Sequence, residues 1–396
     1  MTTAEASLEA EARALHRTAY VADAHADALL WNRDLRSRQQ RGHVDFVRLG
    51  EAGVRLQVFT VVSRGFPFIG GFPAFALAHG WPLDAIRSPW ARVLFQIDRL
   101  TRACEDGAAL LARTPADLAP GPEGRVACVL GIEGGHAIEG RVERVSELAR
   151  RGVAFMGLTH LVPNELGGSS FPFRGRRGLT ALGARVLEAM ATHGLAVDVA
   201  HASRRLLAAL LAQREVRVFC SHTGVAALGP RWRNLEDDAL RRIADRGGVV
   251  GIIFGTPYLG SRRLEAVADH LEHAVRVAGE DAVCLGSDFD GLVPLPSGMR
   301  DVTDLWKLTA ILLRRGHPRA RIERVLGLNL RRFLSEVLGE IGRRSAGGED
   351  LARGAEPRVQ GALDPSRPGR CVFAREVDAS FGARHIRSKL AINPLL

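Results

Sequence analysis

Residues 195–222 read LAVDVAHASRRLLAALLAQREVRVFCSH. Two short apolar runs, 195–201 and 216–222, each close on a histidine, and 203–213 between them repeats its leucines at helical spacing. Strand, helix and strand in that order are a βα unit of a parallel sheet. The same alternation recurs outward in both directions. Further strands are expected at 19–25 (AYVADAH), 54–62 (VRLQVFTVV), 126–133 (VACVLGIE), 153–160 (VAFMGLTH), 248–255 (GVVGIIFG) and 282–288 (AVCLGSD). Helical spacing fills 91–113, 139–151, 180–193, 236–246 and 262–279, with helices at 303–315 and 319–340 to close a ring. Eight strands with intervening helices predict an α/β fold, a (β/α)8 TIM barrel with insertions. A doubly wound sheet is the alternative, but no GxGxxG turn follows the first strand. The polar residues of interest close at least five different strands, and that is where barrels carry their sites.

A chain of 396 residues, 46% hydrophobic, can bury a large core in one big domain or two smaller ones. The barrel is expected over residues 1–342. Residues 343–396 are rich in Gly, Pro, Arg and Ser without periodicity, and are expected to be a disordered or loosely docked tail, with VFAREV at 372–377 its one strand-like piece. No run of 18 apolar residues is free of charge, so no membrane span is expected, and the N-terminus lacks the apolar core of a secretory signal. Cys104, Cys128, Cys220, Cys284 and Cys371 are odd in number, form no CxxC pair, and fit free thiols in a reducing cytoplasm. The net charge of +10 comes from arginines spread along the chain, with Lys307 and Lys389 the only lysines. A solvated surface accounts for it, and no nucleic-acid partner is expected.

The first strand ends Asp23-Ala24-His25-Ala26-Asp27, and positions two apart on a strand face the same way. His25 and Asp27 can therefore both enter the barrel mouth and offer a cation an imidazole nitrogen and a carboxylate. Glu133 closes an otherwise apolar strand, which is costly unless the carboxylate is paired, protonated or metal-bound. The glycines after it allow a sharp turn. His201 and His222 end the two strands of the opening stretch. Five candidate ligands exceed the need of one zinc, and a bridging Glu133 would give each of two ions three protein ligands. Asp288 ends the last strand, where a carboxylate can take a proton from water and deliver it to a leaving amine. Asp290 belongs to the turn beyond, where capping is the ordinary role.

The stretches VADAHAD, HVDFVRLGEAGVRLQVF, GIEGGH, GLTHLVPN, GLTALGARVLEAM, VDVAH, FCSHTG, RNLEDDAL, GGVVGI, VADHLEHAV and GSDFDG follow one another over residues 19–340. In that order they resemble the membrane dipeptidase (renal dipeptidase, peptidase family M19) group. The resemblance implies a metal-dependent hydrolase barrel with two Zn2+: His25 and Asp27 on one ion, His201 and His222 on the other, Glu133 bridging. It implies hydrolysis of dipeptides by a bridging hydroxide, with a D residue tolerated at the C-terminal position. It also implies that His160 contacts the substrate and steadies the oxyanion, that Arg233 binds the terminal carboxylate, and that the chain forms a homodimer. Other readings are a related two-metal hydrolase of an amide, lactone or ester, and a catalytically silent barrel. Ala24 and Ala26 stand where the family usually has Gly and Asn. Residues 64–90 form an aromatic- and glycine-containing insertion, compatible with a lid and with plain loop packing alike.

Overall fold

The computed structural model describes residues 3–64, 71–105, 107–121, 125–171 and 177–353, with side chains from Glu5 to Ala346. Among the described residues nine strands run in chain order as β1 (Val21–Ala26), β2 (Val54–Val62), β3 (Ala109–Leu111), β4 (Val126–Glu133), β5 (Val153–Gly157), β6 (Ala196–Asp198), β7 (Val218–Thr223), β8 (Val250–Ile252) and β9 (Val283–Leu285). Every pairing between these strands is parallel. The sheet runs β2-β1-β9-β8-β7-β6-β5-β4, and a long β2–β4 ladder from Leu56↔Ala127 to Val62↔Glu133 closes it into an eight-stranded barrel. The expected (β/α)8 barrel is the observed fold.

The remaining strand, β3, pairs with the start of β4 and was not foreseen. Its apolar residues read as the continuation of a helix through 113. The helix instead spans Pro89–Ala103, and Gly107, at φ +82°, is in the left-handed region that reverses the chain. The later strands are also shorter than expected at their C-terminal ends. The chain leaves the ladder after Gly157, Asp198 and Leu285, so His160, His201 and Asp288 sit in the turns beyond rather than on the strands.

Alternation along β4 shows how the interior is filled. Ala127 and Val129 face inward at the bottom, Gly131 follows, and Glu133 ends the row at the mouth, while Cys128, Leu130 and Ile132 pack outward beneath the helices. A Cβ on Gly131 would lie 2.0 Å from the Phe155 ring, so the glycine leaves room for that ring under the site. Phe155 meets Phe219 edge-on at 4.8 Å, and Phe219 meets Phe333 at 4.9 Å. Phe333 comes from the last helix, Asn329–Arg353, which seals the bottom with Leu330, Leu334 and Val337. This helix runs past residue 342. Residues beyond 353, including the VFAREV stretch, lie outside the described residues, and no described helix is long and apolar enough to cross a membrane.

An N-terminal helix, Thr3–Thr18, packs on the helix Trp306–Arg314, with Arg13 stacked 3.6 Å from the Trp306 ring centre. Its His16 is buried, with Nδ1 3.0 Å from Thr309 Oγ1. Burial pushes this imidazole down to about 4, against a smaller opposing effect of the Ala52 backbone. An unfolded histidine titrates near ~6.5, so between those values the unfolded chain binds a proton that the native chain refuses. Stability is therefore lost as pH falls through that window. His16→Gln is expected to lose less of its unfolding midpoint between about pH 7 and about pH 5 than the parent chain. Equal declines in the two proteins would remove His16 as the source.

Candidate metal centre

The turns at the mouth are shaped to bring side chains inward. Glu133 is followed by Gly134 at φ +98°, where an added Cβ would lie 3.0 Å from His160 Cβ. His201 (φ 63°) and Asp288 (φ 62°) adopt left-handed conformations although neither is glycine. Such backbone costs of order ~1–3 kcal/mol and persists where surrounding structure enforces it. At Asp288 the enforcement is visible. Ser287 N–H and Oγ–H donate to Asp23, each at 2.7 Å, and Gln57 Nε2 donates to the same carboxylate at 2.8 Å.

Six buried side chains converge at the mouth. Glu133 Oε1 lies 2.8 Å from His201 Nε2 and 3.6 Å from both His25 Nε2 and His222 Nε2. His25 Nε2 lies 3.6 Å from Asp27 Oδ1 and 3.9 Å from Asp288 Oδ1. Three donor groups result, Glu133 with His201 and His222, His25 with Asp27 and Asp288, and His25 with His222 and Asp198, the atoms within each lying inside 4.8 Å of one another. His160 approaches Glu133 Oε2 at 3.5 Å through Nε2, and its Nδ1 is 3.0 Å from the Arg64 carbonyl, the ordinary geometry of an Nδ1–H donor. All five ligands expected from the sequence are thus brought together, and Asp288 stands with the first pair.

The electrostatics mark a place for positive charge. Burial pushes Asp27 and Asp288 well above the usual carboxylate range, and the Glu133 charge beside them adds to it. Burial opposes the charge on Glu133 too, yet the imidazoles of His160, His25 and His201 hold its carboxyl well below the ordinary range. Burial lowers His25 to about 4 and holds His201 and His222 well below the ordinary imidazole value, so all three are neutral and able to ligate at neutral pH. Glu133 Oε2 is buried without a hydrogen-bond partner. Three buried carboxylates with neutral histidines around them fit cations, since unpaired buried charge is otherwise costly.

Arg233 stands at the edge of this cluster, buried, its Cζ 4.8 Å from the Tyr258 ring centre. Nη2 donates to the His222 carbonyl at 3.0 Å, Nε has no hydrogen-bond partner, and no carboxylate among the described residues pairs with it. With His25 buried behind them, Asp27, Glu133, His201, His222 and Asp288 line a cavity of about 340 Å³ together with His160 and Arg233. Its outer wall is aromatic: Phe171 meets Trp232 at 5.2 Å and Trp232 meets Tyr258 at 5.8 Å, both edge-on, with Leu161, Leu292 and Val293 beside them.

A family model for the membrane dipeptidases (peptidase family M19) matches residues 9–343. The chain belongs to this family. Among M19-like relatives, an uncharacterized dipeptidase of Schizosaccharomyces pombe is 33% identical over 218 residues, 53% of this chain and 52% of that protein. The chain thus matches about half the length of this curated relative. Among solved structures, a metallo peptidase from Rhodobacter sphaeroides, liganded with a phosphinate mimic of the dipeptide L-Ala-D-Ala, is 26% identical with a TM-score of 0.69, covering 81% of this chain and 99% of that one. The probable dipeptidase PvdM from Pseudomonas aeruginosa shares the fold, at 20% identity and a TM-score of 0.71 over 86% and 99% of the two chains.

Several residues at this M19 site had no role in the sequence reading. Asp198, Ser221, Asp23, Thr60 and Tyr258 all support or line the cluster, Thr60 Oγ1 lying 2.5 Å from Asp27 Oδ1. The one signal available was aspartate inside an apolar strand run, at positions 23 and 198. Asp290 does belong to its turn, as expected, but as a buried strut: it pairs with Arg33 at 2.5 Å and accepts from the His43 backbone at 2.8 Å. In the 64–90 insertion two short helices, Gly71–Ala78 and Leu83–Ile86, bury Phe72, Ala76 and Ala85, together with Trp81 between them, against Leu30 and Val62. Residues 65–70 lie outside the described residues.

Proposed function

We propose that this chain is a two-zinc dipeptidase: His25 and Asp27 hold one ion, His201 and His222 the other, and Glu133 bridges. The observation that carries the reading is a buried arginine, with no carboxylate partner among the described residues, that shares one cavity with a cluster of three carboxylates and three neutral histidines. Borderline nitrogen and oxygen donors suit zinc. When bound, the ions would polarise the scissile carbonyl and activate water at neutral pH.

The protein's own groups supply the rest. Arg233 receives the C-terminal carboxylate, a bidentate and charge-assisted match for a guanidinium with no carboxylate partner among the described residues. That anchor places the scissile bond over Glu133. His160, held through Nδ1 by the Arg64 carbonyl, offers Nε2 to the developing oxyanion. Asp288, pushed up by burial, is suited to take a proton from water and return it to the departing nitrogen. The aromatic wall of Phe171, Trp232 and Tyr258 favours apolar side chains on the substrate, and a D residue at the C-terminal position is part of the proposal, as are a homodimer and a cytoplasmic setting.

The test compares metal-loaded protein acting on L-Ala-L-Ala, L-Ala-D-Ala and their C-terminal amides, with and without a chelator. Chelation is expected to abolish hydrolysis. Arg233→Ala and the amide substrates are each expected to lose about 10²-fold or more in kcat/KM, mostly through KM, because a buried charge pair is worth about 2–5 kcal/mol. Combining variant and amide should add little further. Turnover of lactones or simple esters with no activity on any dipeptide would sink the reading.

A further inference from the structure

We propose that Ser221 is a positioning residue that sets the tautomer of two histidines at once, His25 and His222, with Asp198 dictating the direction of its proton. This rests on the two-ion reading of the cluster. Ser221 is fully buried on β7. Its Oγ lies 2.6 Å from Asp198 Oδ2, 2.8 Å from His222 Nδ1 and 3.1 Å from His25 Nδ1. A hydroxyl has one proton and two acceptor sites, and an ionised carboxylate can only accept. The serine therefore donates to Asp198 and accepts from an Nδ1–H on each ring. With Asp198 ionised, any other arrangement sets two lone pairs against each other, ring against oxygen or oxygen against oxygen, in a place water does not reach, at the cost of an unsatisfied buried group.

The consequence is at the far side of each ring. With Nδ1 protonated, both Nε2 atoms carry lone pairs, and each lies 3.6 Å from Glu133 Oε1. Besides the donor group they share with Asp198, His25 stands with Asp27 and Asp288 and His222 with Glu133 and His201, one such group for each proposed ion. A single hydroxyl thus readies both halves of the site. Asp198 is itself locked, since Oδ1 accepts from Ala200 N–H at 3.0 Å and Ser221 N–H at 2.9 Å, leaving Oδ2 for the serine.

That lock makes Asp198→Asn a sharp test in a chain of unchanged shape. The two backbone N–H groups keep the amide oxygen, so the amide nitrogen faces Ser221 Oγ and donates to it. The serine proton must then go to one ring, which becomes Nε2–H and cannot ligate. In chelator-competition titrations with Zn2+, the parent chain is expected to bind two ions. Asp198→Asn should keep one at near-parental affinity and weaken the other about 10–100-fold, the usual range for a group that orients a ligand. Ser221→Ala should weaken both; because it leaves Asp198 short of a partner, the asparagine variant carries the decision if it fails to fold. Independently of metal, ¹⁵N NMR of the metal-free parent should show both rings protonated at Nδ1. Two ions bound to Asp198→Asn with parental affinity, or an Nε2–H on either ring of the metal-free parent, would overturn the proposal. A parent chain that binds no zinc would refute the metal reading instead, and the NMR result would still decide this one.

Discussion

Glu133→Gln is expected to lower kcat/KM for a good dipeptide by about 10³-fold or more and to leave fewer than two zinc ions bound. Among the described residues Glu133 is the only carboxylate that lies within 4 Å of His25, His160, His201 and His222 alike. Glutamine keeps its shape and removes the charge that both proposed ions share. Losing an ion forfeits several kcal/mol of transition-state stabilisation, and about 4 kcal/mol corresponds to ~10³-fold in rate. The fold should survive, because Glu133 ends its strand at the cavity and the β2–β4 ladder beneath it is backbone-bonded throughout. Metal analysis with a dipeptide assay checks the result. Two tightly held ions in an active Glu133→Gln protein would end the bridging assignment.

Asp288→Asn should behave differently. Turnover is expected to fall by about 10²–10⁴-fold, the range of general acid–base catalysis, with both ions retained and KM little changed. Asp288 Oδ1 stands 3.9 Å from His25 Nε2, near enough to join the His25–Asp27 donor group. The metal count therefore discriminates. An inactive protein with two ions supports proton transfer by Asp288, whereas loss of one ion would make it a ligand. Unchanged turnover would remove both roles.

Much of the barrel was legible because its signals are local. Apolar runs of strand length alternate with helical periodicity, and His25, Asp27, Glu133 and His222 close or follow strands where period-two alternation aims them at one rim. Strand ends were less legible. His201 and Asp288 lie in left-handed turns, and nothing in VDVAH or GSD signals a positive φ. The β3 strand was hidden because ALL after a helix reads as more helix until Gly107 turns the chain. Least legible was the support beneath the ligands. Ser221 and Asp198 lie 23 residues apart, and Ser287 and Asp23 lie 264 apart. Such cross-strand hydrogen bonds have no spacing rule, so a serine next to a histidine reads as filler until the barrel closes.

The Phe155–Phe219–Phe333 stack gives the barrel a solid floor, so the cavity above it is a blind well. Whatever goes down must come back toward the mouth, since the floor offers no way through. Under the proposed function both fragments of a cleaved dipeptide leave against the traffic of the next one. The fragment that keeps its carboxylate on Arg233 is the slower to depart, so a free amino acid occupies the seat its parent needs.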